Sequence, residues 1–398
     1  MKPRIILKRG KEKPVLTHHP WIFSGAIARA ENVSDGDSVD VFDSIGRWLA
    51  RGYYNARSQI AVRVWTWNDE PIDRAFLRTR LQRAISARDA LIDRAATNAY
   101  RVINAESDGL PGLVADRYAD FVVLQFLTLG IDRRKAEIVE LFAELLHPRG
   151  IYERSDVEVR EKEGLESVVG GLHGSEPPDA IEVCENNFRF WVDVKRGHKT
   201  GFYLDQRENR KRVAEFLRLS PHATETLNVF SYTGAFAVYT CAAQPNTHVV
   251  NLDTSSDALN LARKNMQLNG YNDSGEFVEG DAFLMLRRYR DQDRSFDVII
   301  LDPPKFVHSS SQLQSGLRGY KDINLLAFKL LKAGGTLVTF SCSGQVSAEL
   351  FQKVIFEAAT DAKRDAQIVA KLLQAPDHPI LLTIPESEYL KGLVCHVV

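Results

Sequence analysis

Apolar and polar residues alternate with period two up to about residue 70, so the chain opens as short strands and turns. Residues 4–8 read as extended, 38–43 alternate, Ser44-Ile45-Gly46-Arg47 forms a turn, and 48–54 and 60–66 return as strands. A small all-β barrel fits this pattern. From Ile72 to about Asp93 the spacing becomes helical, with Phe76, Leu77, Leu81, Ala84 and Ile85 on one stripe. Arg88 alone breaks that stripe, and its stem can lie along apolar surface. Residues 113–118 and 121–127 form a hairpin around Ala119-Asp120, followed by a helix near 133–146 and a strand at Ile151-Tyr152. Glycines 170, 171 and 174 with Pro177 and Pro178 predict a loop, and residues 188–194 are extended again. This middle region reads as α+β.

The rest alternates strand and helix. Strands are predicted at 226–230, 248–252, 275–278, 296–301, 336–341 and 392–396, and helices at 206–217, 236–243, 256–268, 282–289, 322–331 and 348–361. Such alternation implies a mostly parallel sheet covered on both faces, an α/β class, with ligands outside the carboxyl ends of the strands.

Length and composition sharpen this outline. A chain of 398 residues exceeds what one core usually serves, so two or three domains are expected. No apolar run is long enough for a signal peptide or a membrane span, which makes a cytoplasmic protein with no membrane partner the default. Cys184, Cys241, Cys342 and Cys395 are far apart and form no Cys-x-x-Cys pair, so neither a metal site nor a disulfide framework is expected. A net charge of −1 exerts no global pull on nucleic acid, and RNA affinity has to come from local patches. One is Lys2, Arg4, Lys8, Arg9, Lys11 and Lys13; another runs through Lys195, Arg196, His198, Lys199, Arg207, Arg210, Lys211 and Arg212. Each could equally be a solvated basic face.

Chemistry is sought in the loops after the strands. Phe230-Ser231-Tyr232-Thr233-Gly234 opens a helix whose backbone N–H groups can meet a polar ligand, although one glycine makes this a weak signal. Asp253 ends the second strand, where a carboxylate can accept both hydroxyls of a ribose; a helix N-cap by Asp253 or Ser255 is the plainer alternative. Asp281 follows the third strand and could meet an adenine amino group or cap a helix. Two acids at successive strand ends favour a nucleoside ligand. After the fourth strand, Asp302-Pro303-Pro304-Lys305-Phe306 forms a rigid acceptor site for the amino group of a base, with Phe306 as stacking face. Cys342 ends the fifth strand among Ser341, Ser343 and Gly344, a setting that suits a partly exposed thiol; the other three cysteines read as structural.

Taken together, these motifs resemble the class I S-adenosylmethionine-dependent methyltransferases, and more narrowly the bacterial 23S ribosomal RNA cytosine-5 methyltransferases with an N-terminal PUA domain. The resemblance adds His19-Pro20-Trp21-Ile22-Phe23-Ser24-Gly25, Glu106 to Gly112, His198 to Arg207 and Arg318-Gly319-Tyr320-Lys321-Asp322-Ile323-Asn324 to the loops above, and runs nearly end to end. It implies a PUA barrel for RNA over 1–72, an α+β central domain over 73–190 and a Rossmann-like catalytic domain over 191–398. It implies S-adenosyl-L-methionine held by Phe230, Ser231, Tyr232, Gly234, Asp253, Asp281 and Asp302, with Gln206 touching it, and Lys305 and Phe306 near the base. Cys342 would be the nucleophile and Asp302 its catalytic partner, acting on large-subunit ribosomal RNA. Many such enzymes carry a second cysteine beside the acidic-proline motif, where this chain has Lys305 or Phe306. An N-methyltransferase acting on guanine or adenine, or a non-catalytic RNA-binding factor, are the rival readings. An apolar strand edge would suit a homodimer.

Overall fold

The computed structural model describes residues 2–218 and 224–398, which fall into two compact units. The first runs to Cys184 and adds Val192–Leu204 and Pro376–Ser387; the second comprises Glu185–Trp191, Asp205–Ala375 and Glu388–Val398.

The first unit holds two sheets. A six-stranded sheet, in the order Trp21–Ile22, Val62–Thr66, Trp48–Tyr54, Ser38–Phe42, Arg4–Leu7, Ile27–Glu31, closes over its own core of Ile5, Leu7, Val39, Val41, Val62 and Val64. The second sheet runs Val168–Gly174, Gly150–Ser155, Phe121–Phe126, Leu113–Tyr118, Ala99–Asn104. Helices Arg74–Leu91 and Lys135–Leu146 cover it through Leu77, Leu81, Ile138 and Phe142. Two expectations change here. Residues 168–174 form an edge strand paired with Gly150–Ser155 instead of a loop, because their backbone groups find a ladder that composition does not reveal. Arg88 buries its whole side chain, not its stem alone: both guanidinium arms reach Asp108 at 2.7 Å and one also donates to the Asp377 carbonyl.

The second unit is an α/β domain. Its strands are β1 (Glu225–Val229), β2 (His248–Asp253), β3 (Gly275–Glu279), β4 (Phe296–Leu301), β5 (Leu331–Ser341), β6 (Ala366–Leu373) and β7 (Lys391–Val397). Their order is β3-β2-β1-β4-β5-β7-β6, parallel except for β7, which runs antiparallel to both neighbours. Helices α1 (Arg207–Arg218), α2 (Ala235–Ala243), α3 (Ser256–Leu268), α4 (Ala282–Asp291), α5 (Leu313–Leu330) and α6 (Ala348–Asp361) complete it. Successive side chains of the central strands enter opposite cores, as the period of two requires. Leu227, Val229, Ile299, Leu301 and Leu337 join one core, and Val298, Ile300, Val338 and Phe340 join the other. The α5 helix starts well before the predicted 322. Edge strand β6, which the periodicity did not reveal, exposes Ile368, Val369 and Leu373. The order reverses at β1, between β2 and β4, so the loops after β1 and β4 diverge and open a crevice at the carboxyl edge.

Candidate active site

The loop after β1 is strained. Phe230 (φ 59°) and Tyr232 (φ 46°) sit in the left-handed region, as does Gly234 (φ 76°). For residues other than glycine this conformation costs about 1–2 kcal/mol each and persists only where surroundings enforce it. Within the loop the Ser231 N–H donates to the Leu252 carbonyl and the Gly234 N–H to the Ser231 carbonyl, which leaves the first-turn N–H groups of the following helix to meet a polar ligand. Gly234 is the N-cap of α2, and no side chain caps that helix. A Cβ at Gly234 would lie 2.9 Å from Ala262 Cβ on α3, so only glycine lets the two helices approach.

Asp253 at the end of β2 holds this loop: Oδ2 accepts the Tyr232 N–H at 2.8 Å and Oδ1 the Ser255 N–H at 3.0 Å. Each oxygen uses one lone pair, and the half-buried carboxylate keeps acceptor capacity for a vicinal diol. The N-cap of α3 is Ser255, not Asp253: Ser255 Oγ accepts from Ala258 N–H. Asp281 caps α4, accepting from Leu284 N–H at 2.9 Å, and is exposed. Gln206 is buried, and its Oε1 accepts from Asn209 at 2.6 Å.

Asp302 and Cys342 come together because β4 and β5 are parallel neighbours with Leu301 opposite Thr339. Cys342 Sγ lies 3.9 Å from the Pro303 carbonyl oxygen, and Cys342 is partly exposed. By contrast, burial pushes the Cys241 and Cys395 thiols up to about 12, and Cys184 Sγ contacts the Ala96 carbonyl at 3.2 Å. Cys342 is thus the thiol set at a strand end in the crevice.

Three groups fix this corner that the motifs did not single out. Ser343 Oγ lies 2.9 Å from the Tyr320 hydroxyl and accepts from Val307 N–H, joining the β5 end to the Pro-Pro loop. Tyr320 is fully buried; its ring packs 4.8 Å from Phe306, which also meets Phe230 and Phe283. Phe306 is therefore half-buried in an aromatic cluster, and only part of its ring remains for a base. Lys305 is exposed. Lys391, at the start of β7 opposite Ser341, buries its ammonium and donates to the carbonyls of Ser343 (2.9 Å) and Val346 (2.7 Å). Among the described residues no carboxylate forms an ion pair with it. Burial holds Lys391 below the usual lysine range, opposed by the charges of Glu388 and Cys342 and reinforced by Lys305. A signal for it existed, a lysine inside an apolar strand, but only the register shows what it reaches.

The basic run from Lys195 to Arg212 offers fewer free cations than the sequence suggests. Arg210 lies wholly inside, donating to Glu185 at 2.7 and 2.6 Å, while Arg207 is buried with Glu208.

Comparison with known proteins adds the following. A PUA-like domain model matches residues 5–67, and a model of S-adenosylmethionine-dependent methyltransferases matches residues 159–390. A protein of Enterobacter sp. (strain 638) called ribosomal RNA large subunit methyltransferase I is 48% identical over 400 residues, covering 100% of both chains. Its namesake in Klebsiella pneumoniae (strain 342) is 48% identical and covers 99% of this chain and 98% of its own. A solved chain from Streptococcus mutans, described as a SAM-dependent methyltransferase, superposes with a TM-score of 0.85 at 21% identity, covering 99% of this chain and 100% of that one. A methyltransferase solved with SAH gives 0.86 at 20% identity, with the same coverage. At such identity the two structures speak for the fold alone.

Proposed function

The chain belongs to the ribosomal RNA large-subunit methyltransferase I family of S-adenosylmethionine-dependent methyltransferases, and from that premise we propose that it methylates carbon 5 of a cytosine in large-subunit ribosomal RNA through Cys342. The observation that carries the reading is a partly exposed Cys342 thiol 3.9 Å from the Asp302-Pro303-Pro304 loop, at the edge where the nucleoside crevice opens.

The residues present fit the cofactor. Asp253 offers acceptors for a ribose, and the N-terminus of α2, which follows Gly234 and has no side-chain cap, offers N–H groups for a carboxylate. Asp281 Oδ2 stays available while Oδ1 caps α4, and Gln206 and Asp302 complete the proposed set. S-adenosylmethionine supplies an electrophilic methyl group on a sulfonium sulfur.

Carbon 5 of cytosine is too weak a nucleophile on its own. Cys342 Sγ, as thiolate, adds to carbon 6; the C5–C6 π pair moves to the C4–C5 bond and the C4–N3 π pair onto N3, which makes carbon 5 an enamine carbon. Asp302, as the carboxylic acid, donates its proton to N3 as negative charge accumulates there and accepts from the amino group, taking the N3 proton back when C4=N3 re-forms on methyl transfer, and the Pro303 carbonyl offers a second acceptor. Carbon 5 takes the methyl and loses its proton to water or a nearby base. The electron pair of that C–H bond re-forms C5=C6, and the C6–S bond breaks to release the Cys342 thiolate. Lys305 and the exposed part of Phe306 border the base, which has to leave its stack to reach the thiol.

Incubating the protein with ribosomal RNA and labelled cofactor, then mapping the modified nucleoside, tests the reading. 5-Methylcytosine is expected. A methylated guanine or adenine would replace this chemistry with amino-group transfer, and no modification together with no cofactor binding would leave only an RNA-binding factor.

Two further results are expected here. Gly234→Ala forces a Cβ against Ala262 and a left-handed alanine, so cofactor affinity in calorimetry should fall about tenfold, the equivalent of the 1–2 kcal/mol such a residue costs. Lys391→Met removes a cation beside Cys342 and frees two carbonyls; the rate at neutral pH should fall about tenfold. The sign is set by charge: an ammonium favours the neighbouring thiolate, so without it the acid limb of the pH–rate profile moves to higher pH. A unchanged profile would show that Lys391 acts only on loop shape.

A further inference from the structure

The first unit contains a cavity of about 420 Å³, within the range of small-ligand sites, whose lining residues all belong to that unit. His18, Trp65 and Trp67 form one side and Arg80 and Arg83 of helix Arg74–Leu91 another. His18 is exposed, held in the left-handed region (φ 61°), and stacks on Trp67 at 4.7 Å with planes 19° apart. The indole is fixed in turn by donating to the Val15 carbonyl at 2.8 Å. An outward-facing aromatic pair of this kind is a platform for another flat ring.

The charge of the cavity is the second observation. The buried arginines Arg63, Arg88, Arg154 and Arg160 of this unit each have a carboxylate, Glu106 and Glu163, Asp108, Asp156 and Asp132 in turn, and half-buried Arg101 has Asp116. Arg80 differs. Although half-buried, it has no ion-pair partner among the described residues; it lies over the Phe76 ring and donates at 3.4 Å to the Trp65 carbonyl. Burial lowers its pKa, Glu70 opposing and Arg83 adding to the fall. The carboxylates at the rim are already used, Glu106 by Trp21 and Arg63 and Asp108 by Arg88. The cavity thus keeps two cationic groups beside a stacking surface, the combination that single-stranded nucleic acid recognises.

We propose that this cavity takes one unstacked nucleotide of the RNA substrate, its base on the His18–Trp67 pair and its phosphate on Arg80 and Arg83. The inference rests on the reading of the protein as an RNA methyltransferase. It adds a contact in the first unit that would fix which part of the RNA the enzyme engages.

The test uses the full-length protein, a fluorescein-labelled single-stranded 12-mer RNA and its blunt duplex, with anisotropy as readout over a series of salt concentrations. Arg83→Glu and His18→Ala change exposed side chains, and Arg80→Met probes the half-buried cation. We expect each to weaken single-strand binding about tenfold, with little change for the duplex. Losing the phosphate contact should flatten the salt dependence by about one unit of slope in the arginine variants. Cofactor binding in calorimetry should stay at the wild-type value in all three, which also reports that they fold. Wild-type affinity in Arg83→Glu and His18→Ala overturns the proposal, as does equal weakening for both RNAs, which would mark a general basic face. If the unaltered protein methylates ribosomal RNA while the variants bind normally, only the cavity is lost. If the unaltered protein neither binds nor methylates RNA, the underlying reading fails with it.

Discussion

Cys342→Ala is expected to abolish methylation of ribosomal RNA, by at least about a thousandfold, while the variant still binds S-adenosylmethionine. The size of the effect follows from the chemistry: without thiolate addition, carbon 5 of cytosine has no route to sufficient electron density. Fold should be little affected, because Cys342 is partly exposed and its contact to the Pro303 carbonyl is long, 3.9 Å. Single-turnover assays with labelled cofactor measure the rate, and calorimetry measures binding. Cys342→Ser should behave alike, since a hydroxyl is a far poorer nucleophile at neutral pH. Methylation at the wild-type rate by either variant would end the covalent mechanism, and Cys395→Ala, which alters a buried thiol remote in the chain, serves as the comparison.

Glu185→Gln or Arg210→Met destabilises the second unit by about 3–5 kcal/mol, read as a fall in the denaturant midpoint. Glu185 is fully buried and takes two short bonds from Arg210 on α1 and one at 3.1 Å from the Tyr239 hydroxyl on α2. Burial alone would lower the Arg210 pKa, and Glu185 outweighs it and holds it above the ordinary value. Removing one partner strands the other charge in a low dielectric, which costs more than the pair contributed. Pairing Arg210→Met with Glu185→Leu should therefore recover most of the loss. Because α2 begins at Gly234, the single variants should also weaken cofactor binding beyond their effect on stability. Additive losses in the double variant would show that the two residues act independently.

Much of the catalytic domain was legible. Strands β1, β2, β4 and β5 were placed within a few residues, because both periodicities are local and each buried strand ends in a turn signal. The acids and the cysteine at their ends were singled out from position alone. Strand β6 and the strand Val168–Gly174 were not: at an exposed edge burial imposes no alternation of apolar and polar positions, and the apolar residues of β6 are left exposed. Phe306 was read as a stacking face, yet Tyr320, Phe230 and Phe283 claim much of its ring.

What the sequence determined by itself is which segments become strands and helices and which reactive groups stand at strand ends, because backbone preference and amphipathic spacing act over a few residues. Tertiary structure alone decided which of those groups are already committed. It turned Arg88 and Arg210 inward to carboxylates 20 and 25 positions away in the chain, and left Arg80 without one among the described residues. It also set Cys342 beside Pro303, 39 positions earlier. Burial and pairing depend on which remote segment arrives next to a residue, and that is a property of sheet order and register, not of local pattern.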